Sequence, residues 1–158
     1  LDADHPANRI PFARRSTQWD KLVANPDLIP NTASEIIRWQ CPAAHMRRTV
    51  TQDVDFRGQV FRKGDKIVLW YLSANRDETV FDDGAQLRVD RDNARRHLSF
   101  GHGVHRCVGA RLAELQLQIL LSEMIKRKLR VTVAGPVERE AHPFLSVIKS
   151  LFVTISRA

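Results

Sequence analysis

The stretch FGHGVHRCVG, Phe100–Gly109, decides the fold of this sequence, because it places glycines, histidines, an arginine and a cysteine in one short run. Gly101 and Gly103 permit backbone conformations that other residues avoid, and they let the chain approach another group closely. Cys107 stands at the start of a helical pattern, where backbone N–H groups and the helix dipole favour a thiolate. The stretch therefore predicts a thiolate ligand beside space cleared for a flat group, as a haem iron requires.

The same residues also fit other kinds of site. His102, His105 and Cys107 are potential zinc ligands, but structural zinc sites normally use two paired ligand clusters and only one is present. Cys107 with His105 as its base is a potential nucleophile pair, although such partners usually come from distant sequence. A dinucleotide-binding G-x-G-x-x-G loop is excluded, because the next glycine after Gly103 is Gly109. A further interpretation also stays open, in which Cys107 is an inert, structural cysteine that follows a tight turn.

Length and composition predict one soluble globular domain. The 158 residues are 43% hydrophobic and 27% charged, which is enough to build a core and excludes a disordered chain. No apolar run approaches the roughly 20 residues that a membrane span needs. The first residues, LDADHPANRI, do not form a signal peptide, so we expect a cytoplasmic protein without a membrane span.

The net charge of +7 is concentrated near the cysteine stretch. Residues 91–111 contain five arginines and three histidines against one acid, Asp92. A nucleic-acid surface would need interleaved aromatic residues, and this segment offers only Phe100. The charge therefore argues against a general nucleic-acid surface and leaves an anionic membrane or an acidic protein as potential partners. The second cysteine, Cys41, is expected to be a half-buried, inert thiol.

Two helices are predicted in the first part of the chain. STQWDKLVAN (16–25) favours a short helix. ASEIIRWQ (33–40) favours another, capped by Asn31 or Thr32 and ended by Pro42.

The middle of the chain predicts strands followed by a long loop. Residues 47–56 and 59–72 alternate or run apolar between turn signals, which indicates a small antiparallel sheet of hairpins. Residues 73–99 are polar and irregular, which is uncommon unless the segment serves function or wraps a ligand. Three isolated apolar residues anchor this loop: Phe81, Leu87 and Val89.

The last part predicts one long helix and terminal strands. Apolar residues recur at helical spacing over 110–128, so we expect a largely buried helix. Segments 129–135 and 144–158 indicate two or three strands. The predicted fold class is α+β, mainly helical with small antiparallel sheets. Much of the apolar face of the long helix has no evident partner within the chain, which suggests a fragment.

Here the chain resembles the cytochromes P450. Phe100, Gly103, Cys107 and Gly109 fit F-x-x-G-x-x-x-C-x-G, the haem-binding signature of that family. Three further residues agree in order and spacing, namely Glu35 and Arg38 of an E-x-x-R helix motif and Arg91 of the same ion-pair network. The resemblance covers about residues 20–158. We therefore assign 21–158 to the C-terminal part of a haem-thiolate monooxygenase domain and leave 1–20 unassigned.

The resemblance implies haem b as cofactor and a role for individual residues. Cys107 is the implied iron ligand and catalytic residue. The implied haem-binding residues are Arg48, His97, Phe100, Gly101, Gly103, His105, Cys107 and Gly109, with Arg48 and the two histidines near the propionates. Glu35, Arg38 and Arg91 form an implied structural network. Ala43 and Ala44 lie in the segment that usually borders the substrate.

The resemblance also implies a reaction and its partners. EIIRWQCPAAHMRRT (35–49) and WYLSANRDE (70–78) resemble the bacterial soluble hydroxylases of alkanes and other aliphatic compounds, including fatty acids. Such enzymes place one oxygen atom of O2 in a terminal C–H bond, with electrons from NAD(P)H through a ferredoxin reductase and a ferredoxin. The oxygen-activating helix motif A/G-G-x-x-T is absent. These 158 residues alone are therefore expected to hold haem poorly.

One alternative belongs to a different class. In this alternative, the protein is a basic, non-catalytic binding module, and Cys107 is structural. Such a module binds an anionic polymer with a steep salt dependence. Such a protein is colourless, so one absorption spectrum separates the two hypotheses.

Overall fold

The computed structural model describes residues 16–157, which form four α-helices and three two-stranded antiparallel sheets. The helices are α1 (Ser16–Ala24), α2 (Ile29–Gln40), α3 (Tyr71–Ala74) and α4 (Ala110–Lys126). The strands are β1 (His45–Thr49), β2 (Val54–Phe56), β3 (Gln59–Phe61), β4 (Lys66–Trp70), β5 (Leu129–Glu140) and β6 (Val147–Arg157). The predicted α+β class with small antiparallel sheets is confirmed. Of the unassigned segment 1–20, residues 1–15 lie outside the described part.

Helix α2 begins earlier than the capping pattern predicted. It starts at Ile29, and Pro30 is tolerated in its first turn, where a backbone N–H has no helical partner. Asn31 is not the cap, because its side-chain amide donates to the carbonyl oxygens of Val89 at 2.9 Å and Arg91 at 2.8 Å. Asn31 therefore ties the irregular loop to the helix instead of starting the helix.

The strands between α2 and α3 form nested hairpins. β2 and β3 pair across the Arg57–Gly58 turn, where both residues have positive φ. β1 and β4 pair around this hairpin, with His45 opposite Trp70 and Thr49 opposite Lys66. The region therefore contains two small sheets, where the sequence predicted a single one. β5 and β6 form the third sheet.

The core lies where α1, α2 and α4 meet the irregular loop. Its buried cluster consists of Trp19, Leu22, Ile36, Trp39, Leu87 and Leu121. The three predicted loop anchors, Phe81, Leu87 and Val89, are each at most 2% exposed. Their burial holds a loop that has little regular structure against the helices.

The prediction that α4 is largely buried is wrong for the described residues. Only Ala110 and Leu121 of this helix are buried. Four apolar side chains are more than half exposed: Leu112, Leu115, Ile119 and Leu120. The described elements cover one side of α4 only, in agreement with the expectation that its apolar face lacks a partner here.

Within residues 16–157, no helix has the length and apolar character needed to cross a membrane.

Candidate functional site

The cysteine stretch forms a closed loop before α4. The N–H of Cys107 donates to the carbonyl oxygen of Phe100 at 2.9 Å, and the N–H of Gly101 donates to that of Leu98 at 2.8 Å. A 3-10 turn spans Gly103–His105 between these two contacts. The main chain itself therefore fixes the position of Cys107 relative to Phe100.

Two glycines in this loop have positive φ, of 71° at Gly101 and 79° at Gly103. A Cβ on Gly101 would lie 3.2 Å from the hydroxyl oxygen of Tyr71, so this position allows no larger residue without a shift. A Cβ on Gly103 would meet no atom within 4 Å. Gly101 thus serves close packing, and Gly103 leaves open space beside the loop.

Cys107 is a free, exposed cysteine. Helix α4 begins three residues later, and the carbonyl oxygen of Cys107 accepts the N–H of Ala110 at 3.3 Å. Cys107 therefore lies just before the start of the helix. Val104 and Val108 are almost fully exposed on either side of it, at 97% and 103%. Such exposure of two valines beside a thiol fits a surface that binds an apolar group.

These residues fit haem better than zinc. In the described part of the chain, no three histidine, cysteine or acidic side chains are close enough to hold a metal ion together. The zinc set of His102, His105 and Cys107 is therefore not assembled. A single exposed sulfur with apolar neighbours and open space at Gly103 suits a flat macrocycle that takes one protein ligand.

His97 lies next to this loop and is half-buried. Its Nδ1 accepts the N–H of Ser99 at 3.2 Å, which leaves the proton of the neutral ring on Nε2. Its ring meets that of Phe100 edge to face, with the centroids 5.3 Å apart. Burial lowers the pKa of His97 to about 4, the charge of Glu114 raises it, and that of Arg106 lowers it further.

This low pKa predicts a pH-dependent stability in the haem-free protein. Unfolded His97 takes up a proton below its usual pKa of 6.5, whereas the folded form stays neutral down to about 4. The free energy of unfolding therefore falls as the pH drops from 6.5 to 4, by about 3 kcal/mol, since a tenfold change in proton affinity is worth about 1.36 kcal/mol. Urea unfolding at several pH values measures this loss.

His97→Asn is the matched control for this prediction, because an asparagine oxygen still accepts the N–H of Ser99 but does not titrate. We expect the variant to lose much less stability over the same pH range. An equal loss in wild type and variant would contradict the assignment to His97.

The other two cationic residues implied for the haem propionates lie on separate elements. Arg48 is half-buried on β1, opposite Ile67, and donates to the carbonyl oxygen of Arg47 at 3.0 Å. His105 is exposed at the end of the 3-10 turn. Among the described residues, no hydrogen bond or ion pair joins Arg48, His97 and His105 to one another.

Behind the cysteine loop lies a buried ion network centred on Glu35. Both oxygens of this carboxylate accept from Arg38, at 2.7 Å from Nε and 2.8 Å from Nη2. The Nε of Arg91 donates to Glu35 at 3.1 Å, and the N–H of Arg88 at 2.9 Å. Glu35 and Arg38 are 0% exposed. Buried charges of this kind are tolerated only when they are fully paired and hydrogen-bonded, as here.

The arginines of this network also hold the irregular loop through its main chain. Arg38 donates to the carbonyl oxygens of Asn75, Gly84 and Gln86. Arg91 donates to those of Asp82, Asp83 and Gln86. The network therefore connects α2 to the loop that leads into the cysteine stretch.

Three side chains that sequence reasoning left without a role complete the end of α2. The carbonyl oxygen of Ile37 accepts from the hydroxyl of Ser99, that of Trp39 from Arg76, and that of Arg38 from Asn75. The motif WYLSANRDE contained two of these residues, but their function depends on carbonyl positions that the sequence does not display.

An open apolar cavity of about 510 Å³ lies between α2 and α4. Its lining includes Ile36, Ile37, Ala43, Phe100, Leu117, Leu120 and Leu145. Ala43, predicted to face the substrate, forms a bridge to Leu145 and lines the cavity. Ala44, the other predicted residue, donates its N–H to the carbonyl oxygen of Phe144 at 3.0 Å and does not line it. Leu145 was missed, because only the fold brings it to Ala43.

Comparison with known proteins gives consistent matches. A family model described as Cytochrome P450 matches residues 10–151. The chain is 39% identical over 146 residues to linalool 8-monooxygenase of Pseudomonas putida, covering 92% of this chain and 36% of that protein. It is 41% identical over 149 residues to methyl-branched lipid omega-hydroxylase of Mycobacterium bovis, covering 93% and 35%.

Among solved structures, CYP153D17 from Sphingomonas sp. PAMC 26605 superimposes with a TM-score of 0.85 at 59% identity, over 90% of this chain and 36% of the other. Cytochrome P450-153 from Novosphingobium aromaticivorans gives a TM-score of 0.85 at 55% identity, over 89% and 36%. The chain thus spans about a third of the length of the proteins that it matches.

Proposed function

Because the chain belongs to the cytochrome P450 family, we propose that the full-length protein is a haem-thiolate monooxygenase that hydroxylates an apolar substrate. Haem b, when bound, activates O2 so that one oxygen atom enters a C–H bond and the other leaves as water, with electrons from NAD(P)H. The observation that carries the proposal is the exposed thiol of Cys107 between two exposed valines, in a loop whose backbone is fixed.

In this proposal, the chain's own residues bind and orient the haem. Cys107 holds the iron through Sγ, and the carbonyl oxygen of Phe100 fixes the cysteine backbone. Val104 and Val108, both almost fully exposed, would offer apolar side chains to the macrocycle. Gly103 leaves the space that the macrocycle needs.

Three cationic or hydrogen-bonding side chains are assigned to the two propionates. His97 offers its Nε2–H, since its Nδ1 is already an acceptor. Arg48 offers a guanidinium, whose planar geometry matches a carboxylate. His105, exposed beside Cys107, is the third. A propionate carboxylate near His97 would raise the pKa of this residue from its low value in the haem-free protein, since opposite charges favour the protonated form.

The proposed substrate is an aliphatic compound hydroxylated at a terminal carbon, such as an alkane or a fatty acid. The cavity between α2 and α4 is apolar, and the paired residues Ala43 and Leu145 both line it. The similarity to a protein named as a methyl-branched lipid omega-hydroxylase supports terminal oxidation. The resemblance of residues 35–49 and 70–78 to aliphatic hydroxylases supports the same class.

The proposed electron donor is an acidic ferredoxin, reduced by a ferredoxin reductase with NAD(P)H. Arg106 and Arg111 are exposed on either side of Cys107 in sequence, and the side chain of Arg111 is 92% exposed. Positive charge around the iron ligand steers an acidic protein to the shortest electron-transfer path.

Reversing these charges is expected to slow electron transfer. We expect Arg106→Glu combined with Arg111→Glu to lower the ferredoxin association rate by about tenfold or more at low salt, within the 10–10³-fold range of electrostatic steering, and the difference to shrink at high salt. Stopped-flow reduction measures this rate. Lys126→Glu, at the far end of α4, is the control and is expected to change the rate little.

One experiment tests the proposed function as a whole. The full-length protein is purified, its reduced carbon monoxide spectrum is recorded, and it is incubated with a medium-chain alkane or fatty acid, a ferredoxin system and ¹⁸O2. We expect a thiolate-ligated spectrum and a terminal alcohol that contains one labelled oxygen. A colourless protein would overturn the proposal in favour of the basic binding module, and subterminal products would overturn the proposed regiochemistry.

A further inference from the structure

We propose that Asn75 and Ser99 are positioning residues for the cysteine loop, which they hold against the end of α2. Neither side chain has a hydrogen bond to Cys107 among the described residues, so both act through the backbone of residues 98–100. The inference rests on the proposed function of Cys107 as the iron ligand.

The amide of Asn75 is fully buried, and both of its polar atoms are used. Its Oδ1 accepts the N–H of Leu98 at 2.7 Å. Its Nδ2 donates to the hydroxyl of Ser99 at 2.8 Å and to the carbonyl oxygen of Arg38 at 3.4 Å. The backbone carbonyl of Asn75 accepts from Arg38. One residue thus joins the buried ion network to the backbone before the cysteine loop.

Ser99 extends this connection to the last turn of α2. Its hydroxyl accepts from Asn75 and donates to the carbonyl oxygen of Ile37 at 2.7 Å. The carbonyl oxygen of Ile37 also accepts the N–H of Cys41 at 3.0 Å, so the Ser99 hydroxyl is a second donor there and ties its own segment to the end of the helix. The segment fixed here is the one that enters the cysteine loop.

Two short backbone steps lead from this anchor to Cys107. The carbonyl oxygen of Leu98 accepts the N–H of Gly101, and that of Phe100 accepts the N–H of Cys107. Tyr71, at the start of α3, packs directly behind Gly101. Residues from both ends of α3 therefore hold the loop. Asn75 binds the backbone just before Ser99, and Tyr71 packs against Gly101 just after it.

Removing the Ser99 hydroxyl leaves the buried Nδ2 of Asn75 with only its 3.4 Å contact to Arg38, which costs free energy because a buried donor then lacks a good acceptor. The loop recovers part of that cost by moving its backbone toward other partners, and the move displaces Cys107. A merely structural pair would lower the stability of the whole protein without changing how the iron is held. The ligation state of the iron and the local motion of the loop therefore distinguish the two roles.

The test uses the full-length holoprotein and four variants: Ser99→Ala, Ser99→Thr, Asn75→Asp and Ser73→Ala. Ser99→Ala removes the bridging hydroxyl, and Ser99→Thr retains it. Asn75→Asp keeps the acceptor for Leu98 but loses both donors. Ser73→Ala is the matched control, because Ser73 is an exposed serine on α3.

Two quantities are measured: the fraction of the reduced carbon monoxide complex in the thiolate-ligated form, and hydrogen exchange of the peptide that covers residues 98–107. For Ser99→Ala we expect the ratio of thiolate-ligated to other complex to fall at least about threefold and exchange to accelerate at least about tenfold, consistent with the loss of one buried hydrogen bond. Ser99→Thr and Ser73→Ala are expected to stay within about twofold of wild type, below the effect of one hydrogen bond.

A lower unfolding midpoint in Ser99→Ala with unchanged ligation and unchanged loop exchange overturns the inference. If Ser99→Ala does not fold, Asn75→Asp supplies the same two readings. If the wild-type protein itself has no thiolate-ligated haem, the proposed function fails. The exchange of residues 98–107 then still shows whether the pair anchors the loop.

Discussion

Cys107→Ala is expected to abolish the thiolate-ligated spectrum of the full-length protein and to lower turnover by more than about a hundredfold. Loss of a residue that only supports a metal ligand costs about 10–100-fold, so loss of the ligand itself costs more. Alanine preserves the backbone hydrogen bond between residues 107 and 100, because no side-chain atom takes part in it. The measurements are the reduced carbon monoxide spectrum and the rate of product formation.

Cys41→Ala is the matched control, since it removes the other cysteine of the sequence. Cys41 is 1% exposed at the end of α2, where the sequence predicted a half-buried thiol. Its φ of 41° is an unusual conformation that alanine adopts no less readily than cysteine. We expect this variant to lose about 1 kcal/mol of stability, as a typical substitution does, and to keep the spectrum. Retention of the thiolate-ligated spectrum in Cys107→Ala would refute the assignment of the ligand.

Glu35→Gln is expected to lower the free energy of unfolding strongly. It leaves the guanidinium groups of Arg38 and Arg91 buried beside a neutral amide, which costs about 3–5 kcal/mol. A domain is typically stable by only about 5–15 kcal/mol, so we expect the variant to unfold at a clearly lower denaturant concentration and to retain less haem. Denaturant unfolding and the haem content after purification measure the two effects.

Arg38→Lys and Glu123→Gln test whether this loss depends on geometry and burial. Lysine keeps the charge of Arg38 but cannot reproduce its paired contacts with Glu35, so we expect a substantial loss as well. Glu123 pairs with Arg127 at the exposed end of α4, where salt bridges contribute little. We expect Glu123→Gln to leave the unfolding midpoint unchanged. Equal effects of Glu35→Gln and Glu123→Gln would show that the buried network does not hold the fold.

The family and the fold class followed from the sequence because their signals are local. The spacing of Phe100, Gly103, Cys107 and Gly109 reflects one loop, and each residue type has its own steric or chemical reason to be there. Glu35 and Arg38 are three residues apart, which places them on one face of a helix. The roles of individual site residues remain predictions that the proposed experiments test.

What the sequence could not predict depends on contacts between distant segments. Asparagine is a residue type that often caps helices. The amide of Asn31 instead donates hydrogen bonds to two carbonyl oxygens about 60 residues later in the chain, and the helix starts before Asn31. Asn75 and Ser99 likewise bind carbonyl oxygens, which every residue carries and no pattern marks. The prediction of a largely buried α4 failed for another reason, since helical periodicity shows which face is apolar but not what covers it.

The way Arg38 and Arg91 hold the irregular loop determines how that loop can vary in evolution. Both arginines bind main-chain oxygens, so almost any side chain at 82, 83 or 86 presents the same acceptor. Gly84 is the exception, because a Cβ there would lie 2.8 Å from the carbonyl oxygen of Arg76. Side-chain changes at these three positions therefore leave the acceptors in place, whereas the deletion or insertion of a single residue shifts every acceptor at once. The network therefore constrains the length of the loop more strongly than the side chains at these three positions.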